Sequence, residues 1–205
     1  MKKLVIAIIV AATFWFVMFS PWTAPYVNFW IVMSVAAVTL ITLSFVFRKE
    51  WKSLLLFNIK DIALGISSAI ALWFVFYLGN EISEMLFDFA RPQVDDVYAM
   101  KEGQNQMMLA IVLLFLIGPA EEIFWRGYVQ QTLCESKIGD IKAFIITTLI
   151  YAVVHIWAFN FMLFMAAVVC GAFWGLVYMK NRNLLTIIIS HAIWDVSVFI
   201  LFPIM

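Results

Sequence analysis

Three short groups of ionisable residues interrupt stretches of sequence that are otherwise apolar enough to cross a membrane. The groups are Glu121, Glu122 and Arg126, then His155, then His191 with Asp195. A charged side chain at the centre of a membrane helix costs about 2.5–3.5 kcal/mol on insertion scales, so such residues face a protein interior or a water-filled cavity. Charges in this setting mark function, and we expect the rest of the chain to bury them and bring them together.

Helical spacing divides the carboxylates into two roles. Glu122 and Arg126 are four residues apart, so they share a helix face and can form an ion pair. Glu121 points about 100° away from Glu122 and has no such partner, which makes it the freer carboxylate and the better candidate base. His191 and Asp195 are also four residues apart and share a face.

These residue types indicate hydrolysis of an amide within or at the membrane. A carboxylate paired with a histidine activates water as a general base, and a second histidine with a neighbouring side chain stabilises an oxyanion. The set Glu121, His155, His191 and Asp195 also supplies two imidazoles and two carboxylates, which can bind zinc and activate a metal-bound water. Ligand type alone leaves both mechanisms open.

The composition is that of an integral membrane protein. The chain has 205 residues, of which 65% are hydrophobic and 13% charged, about half the charged share of a soluble domain. We expect one membrane domain in a lipid bilayer, with no soluble domain attached. The net charge is zero, so nucleic acid is not an expected partner. Cys134 and Cys170 lie within or at the ends of apolar stretches and do not indicate a disulfide framework.

Seven apolar stretches predict an all-α, polytopic membrane protein, with six to eight spans as the range. Gly118 and Pro119 precede the charged cluster, and proline removes a backbone donor, so the fourth span is expected to be kinked there. Residues 80–106 are predicted to form a solvated, partly helical loop, and residues 52–61 a short interfacial helix. The predicted spans are residues 4–19, 26–47, 62–78, 107–134, 143–159, 161–179 and 184–202.

The distribution of basic residues predicts the orientation in the membrane. With a cytoplasmic N-terminus, ten of the thirteen lysines and arginines fall on the cytoplasmic side, and only Arg91 and Lys101 fall outside. Taking about 1.5 Å per helical residue, the candidate residues lie roughly 12–20 Å from the cytoplasmic ends of their spans, so a common site is geometrically feasible. We expect a plasma-membrane protein of a prokaryote with its N-terminus in the cytoplasm.

The three groups resemble the motifs of a known family, the CPBP family of CAAX proteases and bacteriocin-processing proteins. Each motif alone is weak, but all three in this order on separate membrane helices are fairly specific. The resemblance covers residues 107–204, the catalytic half of the domain, whereas residues 1–106 resemble the family only as helical membrane sequence. The motifs are Glu-Glu-x-x-x-Arg at 121–126, aromatic-x-x-x-His at 151–155 and His-x-x-x-Asp at 191–195.

The resemblance implies a CAAX-protease-like helical bundle that acts as an intramembrane endopeptidase, with a cavity open toward the cytoplasmic side. It implies Glu121 and His155 as the pair that activates water, and His191 and Asp195 as the residues that stabilise the oxyanion. A metal-free mechanism without a cofactor is the version it favours. The implied substrate is a membrane-associated or lipidated peptide, or a membrane protein.

Two departures from the family pattern bear on the chemistry. Tyr151 stands where phenylalanine is usual, and Asp195 stands where asparagine is frequent. An ionised aspartate cannot donate to an oxyanion, so Asp195 must be protonated, orient His191 or bind a metal. Glu122 and Arg126 are counted with the catalytic set because they belong to the same motif.

Three alternatives to a metal-free protease stay open at the level of sequence. The first is the zinc-dependent version of the same hydrolysis. The second is a proton-coupled transporter in which the ionisable residues form a relay, although no internal repeat typical of carriers is evident. The third is a non-catalytic membrane protein that binds a peptide, as an immunity protein does.

Overall fold

The computed structural model describes residues 1–51 and 53–205, and all regular secondary structure in those residues is helical. Seven of the helices are long and apolar enough to cross a membrane. The prediction of an all-α, polytopic membrane protein is therefore confirmed. In chain order the helices are α1 (Lys2–Phe19), α2 (Phe29–Phe47), α3 (Ile59–Leu86), α4 (Ala90–Ala99), α5 (Gln106–Cys134), α6 (Asp140–Ala158), α7 (Phe161–Asn181) and α8 (Leu184–Leu201), with a short 3-10 turn at Ala24–Tyr26.

The polar stretch after the third span is more regular than predicted. Helix α3 continues through it as far as Leu86, and α4 follows, so most of residues 80–106 is helical and not loop. One reason is local: Asn80 Nδ2 donates to Glu84 Oε1 at 2.9 Å, one helical turn further on. The predicted interfacial helix at 52–61 is wrong, because residues 53–58 are not helical and α3 begins at Ile59. Lys52 lies outside the described residues.

Helix α5 departs from regular α geometry on both sides of the charged cluster. Leu113–Ile117 and Ile123–Gln130 form wider π-helical turns, and Gly118–Glu122 between them is α-helical. Such turns are frequent at functional sites. The kink predicted at Pro119 stays a prediction, but the π-helical turns lie directly before and after the α-helical segment that contains this proline. A Cβ on Gly118 would lie 2.9 Å from the Cα of Ala192, so only glycine lets α8 approach α5 this closely.

Helix α8 packs at the centre of the bundle, between α3, α5 and α7. Ser68 on α3 donates to Ser190 on α8 at 2.9 Å, and the indole N–H of Trp174 on α7 donates to the same Ser190 at 3.1 Å. A Cβ on Gly65 would lie 2.7 Å from the carbonyl oxygen of Thr186. Small and hydroxylated residues thus hold the helix that carries His191 in one position.

The loops lie on two opposite faces of the bundle. We call the first of these the basic face. It holds the N-terminus of α1 and the described residues between α2 and α3. It also holds residues 135–139, which join α5 to α6, and residues 182–183, which join α7 to α8. Arg48 pairs with Glu135 at 2.7 Å, and the backbone N–H of Leu184 donates to the carbonyl of Leu54 at 2.7 Å. Arg182 pairs with Asp140 on the same face.

The opposite surface, which we call the α4 face, holds α4 together with residues 20–28 and 159–160. The indole N–H of Trp30 donates to the carbonyl of Met100 at 2.8 Å. The Asn160 amide donates to the carbonyl of Gln93 at 2.7 Å. These bonds hold α4 against the ends of the membrane helices, so α4 forms a cover on this side of the bundle.

Candidate active site

Glu122 lies at the centre of a buried ionic network that joins α5 to α8. Its side chain has no solvent exposure, and its Oε1 accepts a hydrogen bond from Arg126 Nη1 at 2.7 Å. The same Oε1 lies 2.7 Å from His191 Nδ1. The ion pair that spacing predicted between Glu122 and Arg126 is therefore present, and it has a third member that spacing within one helix did not reveal.

Arg126 is held by more than its carboxylate partner. Its Nη2 donates to the carbonyls of Cys170 and Gly171 on α7, at 3.4 and 3.3 Å. Its guanidinium carbon lies 5.0 Å from the ring centre of Tyr151 and 5.7 Å from that of Trp174, distances at which a cation is attracted to an aromatic face. These contacts compensate a charge that is almost fully buried.

His191 is fixed in position on three sides. Its Nδ1 donates to Glu122, its ring stacks on Trp174 with the centroids 3.7 Å apart, and its Nε2 lies 3.4 Å from Asp195 Oδ1. With Nδ1 directed into the protein, Nε2 is the nitrogen left for a reacting group, and Asp195 lies beside it. The predicted pairing of His191 and Asp195 on one helix face is present.

Glu121 has a different environment from its neighbour Glu122. Its Oε2 accepts a hydrogen bond from the Tyr151 hydroxyl at 3.0 Å, and its side chain makes no other hydrogen bond to the described residues. The tyrosine at the first position of the second motif thus has a specific contact, because a phenylalanine there would leave this carboxylate without a donor. Glu121 is 8% exposed and reaches the wall of a cavity.

His155 uses both of its ring nitrogens within the protein. Nδ1 lies 2.8 Å from the carbonyl oxygen of Tyr151, so it carries a proton and donates. Nε2 accepts the indole N–H of Trp15, on α1, at 2.9 Å. His155 is therefore in the neutral form protonated at Nδ1, and Trp15 occupies the nitrogen that would face water or substrate.

One cavity of about 690 Å³ brings these groups together. Its wall is mainly apolar and aromatic, as in most ligand sites. Glu121, His155, His191 and Asp195 all line it, as do Tyr151 and Trp15, whereas Glu122 and Arg126 lie behind the wall. The structure therefore brings four of the six candidate residues to one cavity and leaves the other two as support for them.

The residues around the cavity do not form a ready zinc site. Among the described residues, no group of three or more His, Cys, Asp or Glu side chains is arranged to hold a metal ion. Both nitrogens of His155 and one nitrogen of His191 already take part in hydrogen bonds within the protein. The donors left facing the cavity are the Glu121 and Asp195 carboxylates and one imidazole nitrogen, so the four-residue zinc set is not assembled.

Two residues that position the candidate groups were missed at the level of sequence. Trp15 and Trp174 are aromatic residues in apolar helices, and nothing in their spacing separates them from packing residues. Trp15 is 1% exposed and contacts a histidine 140 positions later in the chain. Only the three-dimensional arrangement shows that this part of α1 belongs to the site.

Buried carboxylates and histidines converge on one cavity inside a polytopic helical bundle, an arrangement that suits the class of intramembrane hydrolases. Within that class, residues 103–197 match the sequence model of the family described as type II CAAX prenyl endopeptidase, Rce1-like. The matched part is the part that carries the three motifs, so the resemblance drawn from them is confirmed. No curated protein and no solved structure matches the chain.

The family match covers the motifs and leaves α1 to α4 outside. All six candidate residues lie inside the matched part, whereas Trp15 does not. The family match and the seven apolar helices support an integral membrane protease whose substrate is a membrane-associated peptide or protein.

Proposed function

We propose that this chain is a metal-free, glutamate-type intramembrane endopeptidase. The observation that carries the proposal is the contrast between two adjacent carboxylates. Glu122 is fully buried and accepts hydrogen bonds from Arg126 and His191. Glu121 instead reaches the cavity, with Tyr151 as its only hydrogen-bond partner among the described residues. A carboxylate with one oxygen oriented and one oxygen free is suited to accept a proton from water.

In the first step of the proposed reaction, Glu121 accepts a proton from water while the water oxygen attacks the scissile carbonyl. Tyr151 keeps the carboxylate oriented through its Oε2. His155 assists when Trp15 releases Nε2, which can then accept a hydrogen bond from the same water. The products of this step are a tetrahedral intermediate with a negative oxygen and a protonated Glu121.

The negative oxygen is stabilised by His191. Its Nε2 carries a proton toward the cavity, while Nδ1 donates to Glu122 at 2.7 Å, so the ring is held as an imidazolium between two carboxylates. Asp195 acts by stabilising this charge and not by donating to the oxyanion, which accounts for an acidic residue at a position where the family often has asparagine. In the second step Glu121 returns its proton to the amide nitrogen, and the C–N bond breaks.

The proposal is tested with a single amide substitution. Glu121→Gln keeps the size of the side chain and its contact with Tyr151 but removes the base. We expect kcat/KM for quenched fluorescent peptides to fall about 10²–10⁴-fold, the range for loss of a general base. Glu135→Gln, on the basic face, is the matched control and should keep full activity. A Glu121→Gln enzyme within threefold of the unchanged protein contradicts the mechanism.

A further inference from the structure

The third motif provides only one hydrogen-bond donor for the oxyanion of the proposed reaction. Enzymes that form such an oxyanion aim several preorganised donors at the developing charge. The Nε2–H group of His191 is one donor, but an ionised Asp195 carries no hydrogen and cannot be the second. A further donor is therefore expected in the cavity wall near His191.

The tryptophans of the wall are the first place to look, because an indole N–H can only donate. Four tryptophans in the described part of the chain line the large cavity. Three of them, Trp15, Trp30 and Trp174, donate to acceptors within the protein at distances between 2.8 and 3.1 Å. The fourth is Trp194, and its Nε1 has no hydrogen-bond partner among the described residues.

Trp194 lies on the part of α8 that carries the proposed oxyanion site. It comes three residues after His191 and directly before Asp195, and all three side chains line the cavity. With 3.6 residues per turn, the three positions fall within about 100° of the helix circumference. Helical geometry thus places Trp194 beside both residues of the third motif.

Aromatic packing holds the indole of Trp194 close to His191. Its ring centroid lies 5.6 Å from that of Trp174, with the ring planes nearly perpendicular. Trp174 in turn stacks on the imidazole of His191 at 3.7 Å. Phe76 on α3 also contacts the indole, with the ring centroids 4.7 Å apart. The position of this indole is therefore tied to that of the first donor.

The N–H group of Trp194 is buried without compensation from the protein. The side chain is 8% exposed, and its Nε1 reaches no solvent. A buried donor without an acceptor is destabilising, and most buried polar groups in native proteins have a partner. A bound substrate that shifts the neighbouring side chains supplies the acceptor, since catalytic hydrogen bonds often form fully only in the substrate complex.

We propose that Trp194 is a catalytic residue and the second oxyanion donor of this site. Its indole N–H donates to the oxygen of the scissile carbonyl as negative charge develops there, together with Nε2–H of His191. The indole keeps its proton, so the step gains a hydrogen bond and no proton transfer. The assignment rests on the proposed function. Because position 194 supplies the donor, Asp195 is free to stabilise the charge of His191.

The first test removes the N–H group and keeps the shape of the side chain. Benzothienylalanine, introduced at position 194 by codon suppression, carries sulfur in place of the indole N–H. We expect kcat for quenched fluorescent peptides to fall about 10²–10³-fold, the range for loss of one oxyanion donor. The same replacement of Trp125 is the matched control, because its Nε1 is also buried without a described partner but Trp125 does not line the cavity. A kcat within threefold of the unchanged protein overturns the proposal.

The second test separates binding of the transition state from binding of the substrate. A peptide phosphinate presents a charged oxygen where the oxyanion forms. Its inhibition constant should rise in Trp194→Phe in proportion to the fall in kcat/KM. Binding of the uncleaved peptide to Glu121→Gln should change less than about threefold when Trp194→Phe is added, because the donor acts on the developing charge. Equal losses of phosphinate and peptide binding overturn the assignment.

The third test exchanges the donor between neighbouring positions. Asparagine at position 195 carries an amide N–H that can donate. Trp194→Phe should therefore lower kcat about 10²-fold or more in the unchanged chain, but less than about tenfold when Asp195→Asn is also present. Equal losses in the two backgrounds overturn the proposal.

Failure of the proposed function gives a different pattern of results. If the unchanged protein cleaves no peptide, the proposed function fails, and the assignment of Trp194 fails with it. If the unchanged protein cleaves peptides that depend on Glu121, and loss of the Trp194 N–H has no effect, only the assignment of Trp194 is overturned.

Discussion

Replacing Glu122 by alanine separates stability from catalysis in the Glu-Glu motif. The change removes the oxygen that accepts from both Arg126 and His191 and leaves a guanidinium buried without its counter-charge. Breaking a buried ion pair by removing one partner costs about 3–5 kcal/mol. The same substitution at Glu121 removes one hydrogen bond, from Tyr151, worth about 0.5–1.5 kcal/mol net. Two neighbouring residues should thus respond very differently to one change.

The thiol of Cys170 is a native reporter of this difference. It is buried on α7 at the cavity wall, and its carbonyl accepts a hydrogen bond from Arg126, so loosening of the network should increase its rate of alkylation. In a Cys134→Ser background, where Cys170 is the only thiol, we expect Glu122→Ala to speed alkylation roughly a hundred- to several-thousand-fold, since each 1.4 kcal/mol is about tenfold.

The matched variant decides the interpretation. Glu121→Ala in the same background should speed alkylation by less than about tenfold, yet abolish peptide cleavage. If Glu122→Ala reacts within threefold of the unchanged protein, the network does not hold α7 and α8 in place. If both variants react equally fast, the separation of the two carboxylates into support and base is refuted.

Three further outcomes follow from the same contacts. Trp15→Phe should raise kcat about two- to tenfold, because it frees the Nε2 of His155 at the cost of one hydrogen bond. A tenfold fall in steady-state kcat would instead show that the indole is required. Arg48 donates two hydrogen bonds to Glu135 and lowers the pKa of that carboxyl, so the pair stabilises the fold above the ordinary pKa of a glutamate and loses this effect as the pH falls through the lowered value. In Arg48→Gln, the thermal unfolding temperature in detergent should no longer show this dependence on acidic pH. An unchanged pH profile would contradict this expectation. Exhaustive chelation should leave peptide cleavage intact, whereas loss of cleavage that zinc restores would favour the metal-dependent alternative.

Much of the architecture could be predicted from the hydrophobicity of the sequence alone. The seven spans follow from apolar stretches, since each must cross the same thickness of bilayer. The pair Glu122–Arg126 and the proximity of His191 to Asp195 follow from helical spacing, because residues four apart share a face. These are local rules, and they predicted local contacts.

Contacts between helices could not be predicted from the sequence in the same way. Glu122 and His191 are 69 positions apart and Trp15 and His155 are 140 apart, and spacing within one helix carries no information about such pairs. The helical content of residues 80–106 was underestimated, because charged residues lower hydropathy without preventing a helix. The close approach of α5 to α8 at Gly118 and Ala192 is likewise set by packing between helices, which hydropathy does not predict.

The ion pair within α5 also bears on how this helix enters the bilayer. A lone glutamate or arginine at mid-depth opposes transfer from the translocation channel into lipid. Glu122 and Arg126 neutralise each other along a single helix at 2.7 Å, so masking this part of the charge needs no neighbouring helix. His191 is the member of the network that a second helix, α8, supplies. The segment that carries the most buried charge thus also carries its own counter-ion.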